Sequence, residues 1–312
     1  MSEQYSIGHL EVASPWGNAG GVVKSPEDVE LMAKTGVGWI EAGSYTLEPR
    51  TGNSPNGETV YYHDLETGLT YNSLGMPNKG FDVIEKQLPE MLRIAHAHSK
   101  PLLVNVAPVS EEPVMESREL IKRAVEAGVD GVILNAGCPN VVVEGGGRHA
   151  VLSHDPCTFG SVLFGVAPIV SRHDARLFVR TSPLEDYTLA QEIMARVIVS
   201  GAVSGVFAPN TWGGQKPQRP DGEYILEVPG NIGGVSGPGT IEDSRVQTQL
   251  LASILRSHHI DVISSSGITT GQELRTRLAL GAVAGAGTTF FYESAEEGWS
   301  EATDRLLRQF SE

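Results

Sequence analysis

Two cysteines in 312 residues, Cys138 and Cys157, leave little room for metal or disulfide chemistry. They stand nineteen positions apart, with no CxxC and no Cys/His spacing around either. That excludes a zinc finger and a disulfide framework, and it fits a reducing cytosol. Basic clusters are absent too: Lys+Arg 23 against Asp+Glu 38 gives a formal net charge of −15. A phosphate backbone would be repelled over most of such a surface, so nucleic-acid binding is not expected. No apolar run approaches the roughly 18 residues a membrane span needs. The opening MSEQYSIGHLEV also lacks the charged and apolar regions of a leader, so a cytoplasmic, unexported chain that does not enter a membrane is expected. No internal repeat or low-complexity linker divides the sequence. Neither a histidine pair, a carboxylate pair nor a Ser/His/Asp arrangement at readable spacing points to hydrolysis, and the nine histidines are expected to be solvated or structural.

What is present is glycine (36), proline (18) and 40% hydrophobic residues, enough for a large core with many loop junctions. One domain over 1–312 is expected. From residue 25 onward short β-branched runs alternate with amphipathic segments, the pattern of parallel strands joined by crossover helices. Ser25 caps the first helix, with Pro26 in its first turn and Asp28 at capping-box spacing. Strands are expected at 37–40, 101–107, 131–135, 176–180, 205–208, 261–264 and 282–286. Helices are expected at 81–98, 113–127, 158–170, 184–200, 240–258 and 271–280. Seven or eight such units predict a (β/α)8 barrel, with 45–79 and 209–239 as inserted functional loops.

In such barrels chemistry sits at the C-terminal ends of the strands. The residues there are polar: Ser44, Asn105, Asn135, Asn140, Arg180, Asn210, Thr211 and Ser264–Ser266. Asparagine closes many turns, but each of these amides also offers a donor pair and an acceptor to an amide- or imide-bearing ring. Leu134-Asn135-Ala136-Gly137-Cys138-Pro139-Asn140 places a thiol between two amides directly after a strand. Cys138 is therefore a candidate base for a proton on carbon, against the plainer reading of a small buried cysteine. Cys157, at the start of an apolar helix, takes the plainer reading. Two glycine-rich turns, 230–238 and 264–268, precede helices and suit a phosphate held on backbone amides.

The Asn-x-x-Cys-Pro-Asn loop closely resembles the signature of the dihydroorotate and dihydropyrimidine dehydrogenases. So do Leu47-Glu48-Pro49-Arg50-Thr51-Gly52-Asn53 and Asn72-Ser73-Leu74-Gly75-Met76-Pro77-Asn78. The resemblance runs from about Ala13 to the last barrel unit, and it implies an FMN-dependent oxidoreductase acting on a CH–CH bond, of the kind found in pyrimidine biosynthesis. It further implies that Cys138 is the base, as in the soluble members. Asn72, Asn135, Asn140, Asn210 and Thr211 would grip the substrate ring, and the backbone of Leu74, Gly75 and Met76 would hold its carboxylate. Ala19, Gly20, Ser44, Asn105, Asn135, Arg180, Gly233, Gly234, Ser265, Gly267 and Thr288 would contact FMN. With no iron–sulfur cysteine cluster and no membrane-docking helix in view, a soluble acceptor such as fumarate and a homodimer are expected.

The chain departs from that pattern at two lysines. The first is missing from Ile40-Glu41-Ala42-Gly43-Ser44, and the second is replaced by Arg180, whose plainer role is a barrel-end salt bridge. The expectation is an active site short of one cation, with a carboxylate-bearing ring such as dihydroorotate supported less than a neutral cyclic amide. A divergent dehydrogenase or ene-reductase, an inactive flavin-binding barrel and a flavin-free phosphate-binding barrel stay open as alternatives.

Overall fold

Helix α1 (Pro26–Ala33) begins as its sequence dictates. In the computed structural model, which describes residues 4–142 and 146–312, the Asp28 N–H donates to the Ser25 hydroxyl at 3.3 Å. The Ser25 N–H donates back to the Asp28 carboxylate at 3.0 Å, so two N–H groups that a helix start leaves orphaned are paired.

Strands β1 (Tyr5–Ile7), β2 (Leu10–Val12) and β3 (Trp16–Asn18) precede α1. After it come β4 (Ile40–Tyr45), β5 (Tyr61–Asp64), β6 (Leu69–Asn72), α2 (Phe81–Ala97), β7 (Leu102–Val106), α3 (Pro113–Glu126) and β8 (Gly131–Asn135). Next are α4 (Pro156–Val170), β9 (Arg176–Arg180), α5 (Tyr187–Ser200), β10 (Val203–Ala208), β11 (Trp212–Gln215), β12 (Gly233–Ser236) and α6 (Ile241–Leu255). The chain ends with β13 (Asp261–Ser265), α7 (Gly271–Ala279), β14 (Ala284–Gly287), α8 (Thr289–Glu293) and α9 (Trp299–Ser311).

Eight strands form one parallel sheet in the order β3-β14-β13-β10-β9-β8-β7-β4, curled into a nearly closed barrel with helices outside. The seam between β3 and β4 is carried by the Gly38 N–H on the Trp16 carbonyl (2.7 Å) and by a side chain standing in for a strand. Asn18 Nδ2 donates to the Glu41 carbonyl at 2.6 Å, while its Oδ1 accepts the Glu41 N–H at 3.0 Å. Both are buried. Asn18→Ala would orphan a buried donor and a buried acceptor, each worth about 1–3 kcal/mol. Chemical denaturation should show a loss of about 2–4 kcal/mol, and a variant as stable as the parent would mean the seam closes without this side chain.

Inside the barrel Leu103, Ile133, Phe178, Phe207, Ile263 and Trp39 pack as one cluster, joined by Ile7 and Val12 from the β1–β2 hairpin. The Gly8 N–H donates to the Asp261 carboxylate at 2.7 Å, at the start of β13, so the hairpin stoppers the N-terminal end of the barrel. The larger cluster fills the space between strands and helices.

Several sequence expectations shift. The strand expected at 37–40 is β4, Ile40–Tyr45. Its Glu41-Ala42-Gly43-Ser44 stretch looked unlike a strand because it runs to the polar rim, while the apolar Val37 and Trp39 lie in the turn before it. The strand expected at 282–286 is Ala284–Gly287. Segments 45–79 and 209–239 are not structureless: they contribute β5 and β6, and β11 and β12, to an antiparallel sheet ordered β11-β12-β6-β5. Cys157 is exposed, on the first turn of α4 capped by Asp155.

Candidate active site

A cavity opens at the C-terminal ends of the barrel strands and is bounded also by residues of β6 and by Ser236 of β12. It reaches from Cys138, just after β8, to Thr288, just after β14. Those strands stand four apart round the sheet, on opposite sides of the rim.

Cys138 is half-buried against the cluster of Met76, Ala107 and Val141. Burial pushes its thiol above the ordinary value. A hydrogen bond from the backbone of Asn140 and the charges of Arg50, Lys24 and Arg148 pull the other way. The two arginines also pin the cysteine loop. Arg50 donates to the Val142 carbonyl (3.2 Å) and Arg148 to the Pro139 carbonyl (3.3 Å).

Around the thiol the asparagines are paired. Asn140 donates to Asn72 (3.0 Å), Asn210 to Asn135 (3.3 Å) and Asn135 to the Ser44 hydroxyl (2.9 Å). The buried Asn140 Oδ1 and Thr211 Oγ1 have no partner. A buried polar atom without a partner is costly, and no partner for these two is found among the described residues. Leu74, Gly75 and Met76 line the same region, with Gly75 and Met76 at φ +71° and +58°. Arg50 Nε on the Gly75 carbonyl (3.1 Å) holds that turn.

The expected shortage of a cation is overturned. Lys24 lines the cavity from the loop after β3, its Nζ 2.9 Å from the Ser44 carbonyl. Burial draws its pKa down to about 8, against the opposing pull of Glu41, Cys138 and Asp28. The sequence carried no strand-end signal for it, because Lys24 stands six residues beyond the three-residue β3, next to the cap of α1. Arg180 also lines the cavity, but both its Nη atoms bind Glu41, Nη2 at 2.8 Å, so its charge is matched. Glu41, fully buried, takes a further bond from Asn105 Nδ2 at 2.6 Å. The Asn105 side chain thus stands below the cavity wall, supporting Glu41, with its Oδ1 unpartnered among the described residues.

Ala19, Gly20, Ser44, Asn135, Ser265, Gly267 and Thr288 all line the cavity. A Cβ at Gly20 would stand 2.9 Å from Glu41 Oε1 and 3.1 Å from Arg180 Nη1, so only glycine leaves this floor flat. Gly233 and Gly234 are elsewhere: they lie in β12 and not on the cavity wall. A Cβ on Gly234 would meet Thr211 Oγ1 at 2.1 Å, and one on Gly233 the Asn72 carbonyl at 2.7 Å. Their smallness lets β12 press against substrate-side residues. The opposite wall comes from both ends of the chain. The Ala19 N–H donates to the Gly287 carbonyl (2.9 Å), Thr288 to the Gly20 carbonyl (3.0 Å) and the Tyr292 hydroxyl to the Gly21 carbonyl (2.9 Å). Tyr61, Thr70 and Tyr292 also line the cavity and had no local sequence signal. A flat glycine floor, unpartnered polar atoms and the N-terminal turn of α6 behind the Ser265–Gly267 wall fit a planar heterocycle with an anionic tail.

The dihydroorotate dehydrogenase family profile matches residues 3–300. Among curated relatives, a dihydroorotate dehydrogenase (quinone) of Leifsonia xyli subsp. xyli is 28% identical over 293 residues, covering 90% of this chain and 78% of the relative. A dihydroorotate dehydrogenase A (fumarate) of Lactococcus lactis subsp. cremoris is 27% identical over 280 residues, covering 89% and 84%. A solved DHODH of Eimeria tenella in complex with ferulenol superposes with a TM-score of 0.77 at 20% identity, covering 99% of this chain and 84% of that one.

Proposed function

Because the chain belongs to the dihydroorotate dehydrogenase family, we propose that it is an FMN-dependent oxidoreductase interconverting a C–C single and double bond beside a carbonyl. Cys138 is its proton base and a dihydroorotate-like ring its leading substrate. The observation that carries this reading is a thiol in a cavity at the barrel mouth that four asparagines and a lysine also line. Ala19, Gly20, Ser44, Asn135 and Arg180 would hold the flavin ring, and Ser265, Gly267 and Thr288 its tail. Bound FMN supplies the hydride acceptor.

The protein's own work is orientation and proton transfer. Paired amides at Asn72/Asn140 and Asn135/Asn210 hold the ring by its N–H and C=O groups. Thr211 and Asn140 donate to and accept from it with the atoms otherwise left unpaired. Cys138, as thiolate, takes the proton from the carbon next to the one that loses hydride, and becomes a neutral thiol. The apolar wall of Met76, Ala107 and Val141 keeps competing water from the sulfur. Lys24 offers an ammonium to a ring carboxylate, which restores dihydroorotate as a fitting substrate.

The Cys138 loop, which resembles that of the soluble members, supports fumarate or a similar soluble acceptor, a cytoplasmic location and a homodimer of one-domain chains. No helix of the described residues is long and apolar enough to cross a membrane. The purified protein should be yellow, with one non-covalent FMN per chain, bleached anaerobically by dihydroorotate. Finding FAD, or no flavin after reconstitution, would remove the reading. A flavin that no cyclic amide bleaches would leave an inactive flavin-binding barrel.

A further inference from the structure

We infer that Arg277, which touches neither solvent nor the cavity, positions the loop at the tail end of the site and sets its preference for a phosphorylated flavin over the same flavin without phosphate. The inference rests on the flavin reading above and concerns one residue that reading does not use.

The cavity wall at that end includes Ser265, Ser266 and Gly267 from the loop after β13. Ser266 and Gly267 are consecutive left-handed residues, at φ +64° and +79°. Serine pays sterically for that conformation and keeps it only where its surroundings hold it. Arg277, on α7 and fully buried, provides the hold. Its Nη2 donates to the Ser266 carbonyl (3.1 Å) and the Ser244 hydroxyl (2.8 Å), and its Nη1 to the Ser264 hydroxyl (3.0 Å). Ser244 is in the first turn of α6, its hydroxyl 2.7 Å from the Thr240 carbonyl and 3.1 Å from the Ser266 carbonyl, while Thr240 bonds the Ser266 hydroxyl at 2.9 Å. One guanidinium therefore fastens the start of α6 to the loop, and the two would face an anion together.

Two arginines and two glutamates meet under this loop, but only one of the two carboxylates is buried. Glu273 binds Arg277 Nε and also Arg245 Nη2, so two arginines share one buried carboxylate. Arg245 finds a second, exposed partner in Glu242 at 2.6 Å. Arg277 itself sits one peptide away from the cavity wall in a region without solvent to screen it, where a fixed positive charge favours a dianion. Its influence should fall on the phosphate and spare the ring.

The test is the affinity of the reconstituted full chain for FMN and for riboflavin, read by quenching of flavin fluorescence. The parent should prefer FMN. Arg277→Lys keeps a charge but loses the fork that spans two segments, and should weaken FMN about tenfold or more, the scale of a charge-assisted hydrogen bond, while riboflavin changes less than about threefold. Ser244→Ala removes one bond of the node without touching the charge, and should lower the FMN preference about threefold. Glu273→Gln leaves the guanidinium unopposed and should raise the preference. A merely structural Arg277 would weaken both flavins alike and would not give opposite signs in its partner's variant. Equal losses for both flavins, or an unchanged ratio in all three variants, would overturn the inference while leaving the flavin reading intact. If Arg277→Lys does not fold, the opposite shifts of Ser244→Ala and Glu273→Gln decide the matter. A parent that binds neither flavin overturns the flavin reading and this inference with it.

Discussion

Cys138→Ala is expected to slow anaerobic flavin reduction by about 10²-fold or more while flavin stays bound, the usual size of a general-base contribution. The side chain faces the cavity but does not build its floor, which is made by Gly20 over Glu41 and Arg180. Removing the sulfur therefore takes away the proton acceptor and little else. The pH dependence follows from the thiol's environment. Burial raises it, so the thiolate is the minor form near neutrality and the rate should climb with pH, about tenfold per unit on the acid side. Cys138→Ser puts a still weaker acid in the same place, and should recover activity over Cys138→Ala only at high pH. Stopped-flow reduction across a pH series reads all three proteins. An alanine variant reduced as fast as the parent would make the cysteine structural.

Lys24→Met should weaken binding of a carboxylate-bearing ring about ten- to a hundredfold at pH 7, the worth of a charge-assisted hydrogen bond of roughly 1.5–3 kcal/mol. A neutral ring of the same size should lose almost nothing. The sign with pH is distinctive. Lys24 has its pKa lowered to about 8, so its ammonium is present below that pH and lost above it. Parent affinity for orotate should be level below pH 8 and fall above it, whereas the methionine variant should bind weakly and evenly throughout. In turnover the two groups oppose each other, Cys138 needing to lose a proton and Lys24 to keep one. The parent profile should be bell-shaped, with the alkaline limb missing from Lys24→Met. An orotate titration unchanged by the substitution would remove Lys24 from substrate recognition.

What could be read from the sequence was whatever is local or governed by the strand-end rule. The Ser25–Asp28 box needs only four residues. Cys138, Asn135 and Asn140 announce themselves because they follow β8 directly, and Ser265 and Thr288 follow the same logic. Lys24 could not be read this way, because it stands six residues beyond β3 and next to the cap of α1. Its approach to Cys138 depends on barrel closure, which no short window contains. Glu41 reads as an interruption of a strand until the fold sets Arg180 and Asn105 beside it. Gly233 and Gly234 carry the composition of a phosphate loop, yet their lack of Cβ serves close passage of β12 past Asn72 and Thr211. The antiparallel sheet escaped notice because β6 and β12 come from separate insertions and pair only across the finished barrel.

The wall that joins Ala19–Gly21 to Gly287–Tyr292 has a consequence for the order of events during synthesis. Thr288 and Gly20, bonded at 3.0 Å, are 268 positions apart, so one side of the flavin site is translated long before the other. A ribosome must release everything between them before the cofactor has both walls to settle against. Until then the N-terminal strand β3 waits without its neighbour β14. Flavin capture thereby waits on the last barrel unit: a product that stops before β14 keeps Cys138 and its asparagines but lacks the wall that holds the molecule they serve.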